Sequence, residues 1–261
     1  MEATIPIDLE KGYAKLYALE EAEHFVYWGR QKALGNLVGG LFKSGTRIRA
    51  LDIGCGTGYI LTRLQSRGAA ATGIECNPVG LAMTKRRGIR RIVNASAGAV
   101  PFAAAAFNLV LALDVYEHIA DDVGAMREAF RILEPGGSHV VFVPASKALW
   151  GKADVVQGHR RRYSRRELAE KLRRAGFSVR RITRLLPTLF LPALIARTAE
   201  RLFSRLRPDW EPNLIERGVP PRWLNAALQR LVRVEARLAA RYALPFGVTL
   251  VAVAAKESDS A

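Results

Sequence analysis

Apolar and polar positions along the first 185 residues follow two rhythms. Across residues 13–42, Leu16, Leu19, Phe25, Leu34, Leu37 and Leu41 recur at roughly helical spacing, which predicts one long helix. "RIRALDIG" (residues 47–54) is a short continuous apolar run closed by glycine, the pattern of a buried strand. The rhythms then alternate: helix 59–67, strand 70–75, helix 78–87, strand 92–95, strand 108–114, helix 121–133, strand 138–143 and helix 165–175. Strand-like runs at 177–185 and 247–256 follow. Strands separated by helices of this length imply right-handed βαβ units and a parallel sheet, hence a doubly wound α/β domain.

About sixty residues interrupt the pattern before the last strand. They hold an apolar block broken by Pro187 and Pro192, a helix carrying Arg197, Arg201, Arg205 and Arg207, a loop with Pro208, Pro212, Pro220 and Pro221, and a helix over 223–242. The expected organisation is an N-terminal helical lid (1–46), an α/β domain (47–185 with 246–256) and an inserted basic and apolar helical subdomain (186–245).

Composition changes this picture in one place. The 261 residues carry a net charge of +16, yet residues 159–241 hold 21 Lys and Arg against seven Asp and Glu, or +14, leaving the rest nearly neutral. The basic third fits an anionic partner or simply an arginine-rich coding bias. Apolar bulk beside arginines over residues 185–207 fits a helix lying in a membrane interface, a pocket for a lipid-like acceptor, or a cap whose arginines face water. No zinc knuckle or RNA-binding signature accompanies the charge, so nucleic acid is disfavoured. Cys55 and Cys76 are too few for a disulfide framework, and no leader or membrane-length apolar run is present, so the chain reads as cytoplasmic, with a peripheral position at the inner face of the membrane left open.

The densest chemistry lies in "LDIGCGTGYI" (residues 51–60). Asp52 ends a strand and is followed by Gly54, Gly56 and Gly58, so the backbone turns tightly and a ligand can lie against it at a helix N-terminus. Glu75 ends the next strand, where a carboxylate accepts hydrogen bonds from two ribose hydroxyls or else simply meets solvent. The spacing is GxGxG rather than GxGxxG, and an acid two residues before the first glycine repels a diphosphate but suits a cation. S-adenosylmethionine carries both a sulfonium and an ammonium group.

At these residues the chain resembles the class I S-adenosylmethionine-dependent methyltransferases. Its segments "AVPFAAAAFNLVLALDVYEHI" (99–119) and "REAFRILEPGGSHVVFVPA" (127–145) resemble the type 11 branch. "EHFVYWGRQKAL" (23–34) and "LWGKADVVQGHRRRYSRREL" (149–168) are similar to a bacterial subgroup of it. The resemblance implies a Rossmann-like methyltransferase sheet with a helical insertion before the last strand. It also implies a cofactor site of Asp52, Gly54, Cys55, Gly56, Gly58, Glu75, Cys76, Asn77, Ser96, Ala97 and Asp114, with Trp28 and Arg30 covering the cofactor from the N-terminal helix. Alternatively, Phe25, Tyr27 and Trp28 are one packed helix face. Ser96 stands where the family often has Asp, and Asn108 departs from its usual Asp.

Methyl transfer needs alignment, exclusion of water and sometimes a base. Candidates are His159, His118 and Tyr163; His159 beside Arg160, Arg161 and Arg162 equally fits an acceptor-orienting role. Asp114, Glu117 and His118 have the Asp-x-x-Glu-His form of a hard-metal site in some quinone-biosynthesis methyltransferases, but the segment is read as lining the cleft without metal. The expected activity is methylation of a small-molecule or lipid-linked acceptor; a non-catalytic S-adenosylmethionine-binding protein and an RNA methyltransferase are the alternatives.

Overall fold

A computed structural model describes residues 9–206 and 219–258. Helices α1 (Leu9–Glu21) and α2 (Phe25–Gly39) precede β1 (Arg49–Ile53), α3 (Tyr59–Gln65), β2 (Ala70–Glu75), α4 (Pro78–Arg86) and β3 (Ile92–Asn94). Then come β4 (Phe107–Leu113), α5 (Asp122–Ile132), β5 (Leu133–Pro144), α6 (Lys152–Val156), α7 (Arg165–Arg174) and β6 (Ser178–Leu185), followed by α8 (Phe190–Leu206), α9 (Arg222–Arg241) and β7 (Thr249–Ala255).

The seven strands form one sheet in the order β3-β2-β1-β4-β5-β7-β6. β1 pairs in parallel with both β2 and β4, and β7 inserts antiparallel between β5 and β6. Strand order therefore reverses at β1, and the cleft opens outside the carboxyl ends of β1 and β4. Alternate side chains feed two cores. Leu51, Val110, Val141 and Ala252 face α5 and α7, whereas Ala50, Leu111, Phe142 and Val251 face α2, α3 and α9.

Two expectations are revised. The N-terminal helix is broken at Glu23, whose φ of 48° ends α1. Asn225 of α9 fixes the break: its Oδ1 accepts from the Phe25 amide at 2.9 Å, and its Nδ2 donates to the Glu23 carbonyl at 3.2 Å. Nor is the stretch 186–245 separate from the main domain. Val232, Ala236 and Ala239 of α9 share the second core with α2, and a Cβ on Gly29 would come within 2.8 Å of Val232. Glycine there lets the two helices approach. Of the anticipated arginines and prolines, Arg207, Pro208 and Pro212 lie outside the described residues, and Arg205 is described only as part of the α8 backbone.

Candidate active site

Asp52 is the penultimate residue of β1, and Gly54, Gly56 and Gly58 adopt φ of 65°, 56° and 77°. Side chains other than glycine enter this left-handed region at a cost. Space adds a second constraint, because a Cβ on Gly54 would meet Val115 at 2.8 Å and one on Gly58 would meet Thr84 at 2.8 Å. Glu75 locks the turn from the side: its carboxylate accepts from the Gly56 amide at 2.9 Å and the Asn77 amide at 2.8 Å. A carboxylate has about four acceptor sites, so Glu75 retains capacity for hydroxyl donors. Asn77 itself caps α4 by accepting from the Val79 amide at 2.8 Å.

Helix α1 lies over this turn. The Tyr13 ring stands where a Cβ on Gly80 would come within 2.9 Å and one on Gly56 within 3.9 Å, and burial followed by the nearby Glu75 carboxylate raises its hydroxyl pKa. Further along, Glu20 accepts from Thr57 and, at 3.0 Å, from Arg87, whose guanidinium stacks on the Tyr17 ring. Beneath lies a cavity of about 130 Å³ bounded by Leu16, Glu20, Tyr27, Arg30, Gln31, Leu34, Asp52, Gly54, Cys55, Gly56, Thr57, Tyr59, Ile60, Leu113, Asp114 and Phe142. The lining brings carboxylates, a guanidinium and aromatic rings together beneath α1.

Charge makes the cavity selective. Asp52 is buried, and desolvation, then Glu75 and Glu20, push its pKa up to about 8. Burial likewise raises Glu20 to about 7, against the pull of Thr57 and Arg87. Arg30 crosses from α2 to bind Asp114, which sits at φ 58° just after β4. A cationic ligand offsets the cost of ionising Asp52, and a ligand carboxylate has Arg30 nearby. The donor set thus fits S-adenosylmethionine, with Asp52 and Glu75 as acceptors, the turn 54–58 as backbone surface and Arg30 as cation.

Not every anticipated residue lines the cavity. Tyr27, Arg30, Gln31 and Leu34 share one face of α2 at i, i+3, i+4 and i+7, whereas Trp28 lies about 100° round the helix. There it is buried between Lys32 and Arg233, so its assignment as a cofactor cover is corrected in favour of Tyr27. Gly58, Glu75, Cys76, Asn77, Ser96 and Ala97 also lie outside the lining with α1 in place. Cys76 is exposed, Ala97 is buried in the first core, and Ser96 Oγ accepts from the Gly98 amide at 3.3 Å. Composition could not single out Thr57, Tyr59 or Phe142, but the helical period starting from Arg30 would have found Tyr27 and Leu34.

A second cluster surrounds the loop after β5. Asp154 organises it, accepting from Gly151 N at 2.9 Å, pairing with His159 Nδ1 at 2.8 Å and with Arg162 Nε at 2.8 Å. Although burial opposes its charge, His159 and Arg162 hold the Asp154 carboxyl below the usual range. The segment 149–168 carried Asp154 in its motif five residues before His159, although the sequence did not single it out as a site residue. His118 packs its ring 4.9 Å from that of His159, and burial, then His159, lowers its pKa. Glu117 is fully buried with neither carboxylate oxygen bonded, and desolvation followed by Asp114 raises its pKa well above the ordinary value. Ligand atoms of Glu117, His118 and His159 lie within 4.8 Å of one another. His159 therefore joins the pair that the sequence had grouped with Asp114, which instead is tied to Arg30.

Tyr163 is corrected as a catalytic candidate. It is fully buried, and its hydroxyl donates at 2.7 Å to Asp122, which also binds Lys171 and, at 3.0 Å, Arg161. This is a structural clamp between α5 and α7. Tyr163→Phe should lower stability by about 1 kcal/mol, measured by denaturant titration, while donor binding stays unchanged.

The sheet order and the acid-flanked glycine turn are those that the resemblance to class I methyltransferases leads one to expect, and the donor set fits S-adenosylmethionine. Residues 51–141 match the type 11 family model described as "Methyltransferase domain". Among curated relatives, the ubiquinone biosynthesis O-methyltransferase of Pseudomonas fluorescens (strain Pf0-1) is 32% identical over 95 residues, covering 34% of this chain and 41% of that protein. The demethylmenaquinone methyltransferase of Thermus thermophilus is 37% identical over 112 residues, covering 40% and 51%. The chain thus spans about half the length of these relatives or less. A solved SAM-dependent methyltransferase from Thermotoga maritima superposes with a TM-score of 0.55 at 19% identity, covering 92% of this chain and 99% of that one, and shows the shared fold.

Proposed function

We propose that the protein is an S-adenosylmethionine-dependent methyltransferase acting on a small-molecule acceptor of quinone or phenol type. The observation that carries the reading is the buried, cavity-facing Asp52 at the end of a glycine turn, with Glu75 bracing that turn and Arg30 opposite. The names of the two curated relatives support the acceptor class. Neither relative is matched over its full length.

When bound, the cofactor supplies an electrophilic methyl group on sulfur. The chain's own residues bind, orient and exclude water. Asp52 meets positive charge, Arg30 meets a carboxylate, and the contacts of Glu20 with Thr57 and Arg87 hold α1 over the cavity. His159 holds its Nδ1 proton toward Asp154, which leaves Nε2 as the ring atom able to take a proton from an acceptor hydroxyl.

Labelled donor offered to a panel of catechols, hydroquinones, amines and transcribed RNA tests this reading. Label should enter phenolic acceptors, and His159→Ala should lower kcat roughly a hundredfold with the donor Kd unchanged. Tight donor binding with no label transferred to any acceptor would favour a non-catalytic binding protein. Transfer to RNA alone would favour the nucleic-acid alternative.

A further inference from the structure

Helix α9 has two apolar faces, and the fold covers only one. Val232, Ala236 and Ala239 pack inward on α2 and the sheet. On the outer side, Trp223, Ala227, Leu231, Val234, Leu238 and, just past the helix end, Tyr242 recur at spacings of four or three and are all exposed, Trp223 by 74%. Scattered single exposed apolar residues are ordinary, but a continuous stripe along a 20-residue helix is not.

The stripe has a charged border of one sign. Arg230, Arg233, Arg237 and Arg241 are exposed along its flank, while the only acid of α9, Glu235, is buried and accepts from the Thr188 amide at 3.1 Å. Separately, α8 exposes Leu191, Ile195 and Leu202, and Phe246, 58% exposed, has its ring 5.6 Å from that of Phe190, which begins α8. Among the described residues no helix is long and apolar enough to cross a membrane.

We propose that the outer face of α9 is a docking surface for an anionic lipid bilayer, with the helix lying in the headgroup region. Aliphatic and aromatic side chains enter the acyl boundary, the aromatic rings sit at the polar interface, and the arginines meet lipid phosphates. An all-apolar partner would leave the arginine border unpaired, and an all-charged one would leave the stripe wet. The surface shares no residue with the cavity lining, so it goes beyond the methyl-transfer reading, and failure of one leaves the other standing.

Sedimentation of the full chain with vesicles tests it. Vesicles with about a third phosphatidylglycerol should bind the protein at least tenfold more strongly than pure phosphatidylcholine. Leu231→Glu with Val234→Glu should abolish that binding, and Arg230→Gln with Arg237→Gln should weaken it several-fold. Both variants should keep the native melting temperature and donor affinity, since all four side chains are exposed. Failure to bind anionic vesicles, or binding that survives Leu231→Glu with Val234→Glu, would overturn the proposal. So would a concentration-dependent dimer in sedimentation velocity that those same substitutions dissolve, because the face would then belong to a second copy. Binding to RNA that excludes vesicles would also overturn it.

Discussion

Gly56→Val is expected to eliminate measurable donor binding, a loss of at least a hundredfold by equilibrium dialysis with labelled S-adenosylmethionine. Gly56 sits at φ 56°, and a Cβ there would reach only the Tyr13 ring, at 3.9 Å, so the side chain would project into open space above the turn. Valine would fill the surface on which the ligand must lie. A β-branched residue in this conformation also costs about 1–2 kcal/mol, which a domain with two packed cores tolerates. The variant should therefore fold, with a melting temperature lowered by several degrees. Native donor affinity in Gly56→Val would remove the turn from the site.

The second large effect concerns Asp52 and pH. Its carboxyl titrates near 8 in the free protein because it is buried and faces Glu75 and Glu20. Below that pH Asp52 is protonated and must release its proton to meet a cation, so donor affinity should rise with pH by up to tenfold per unit and level off above about 8. Calorimetry below pH 8 in buffers of different ionisation enthalpy should register that released proton. Asp52→Asn should flatten most of the dependence and weaken binding at pH 8.5 more than tenfold. Stability carries the opposite sign. A carboxyl whose folded pKa is raised stabilises the fold at low pH, and that contribution is lost as pH climbs from its unfolded value near 4 through 8. Asp52→Asn should thus gain stability relative to the parent as pH rises over that window. A slope that survives in Asp52→Asn would assign the titration to Glu20, whose pKa is near 7.

Much of this was legible in the chain because the signals were local. The alternation of strands and helices, the glycine turn with Asp52 and the acid at Glu75 each depend on a few neighbouring residues. The doubly wound, mostly parallel character of the sheet follows from that alternation, whereas the antiparallel insertion of β7 between β5 and β6 does not. What stayed hidden depends on contacts distant in sequence. Asn225 lies 202 residues from Glu23, so no window on the N-terminal helices reveals why they break. Trp28 was the most conspicuous aromatic of α2, but its direction is set by Arg233, while the less conspicuous Tyr27 faces the cavity. Tyr163 stood beside His159 in the motif, yet Asp122 draws it into the interior. The basic insertion showed its charge but not that α9 would use one apolar face for the core and leave another outside. Charge and hydropathy are properties of residues, whereas the choice between two faces is made by packing.

Helix α1 links the fold to the proposed chemistry, because Leu16 and Glu20 line the cavity with Asp52 and the glycine turn, and the Tyr13 ring stands beside Gly56 and Gly80. The central claim is most directly tested by a crystal structure of the full chain grown with S-adenosylhomocysteine. Density for the ligand should lie against the glycine turn, with Glu75 meeting its ribose hydroxyls and Asp52 turned to the bound ammonium. A turn left bare at saturating ligand would contradict the account.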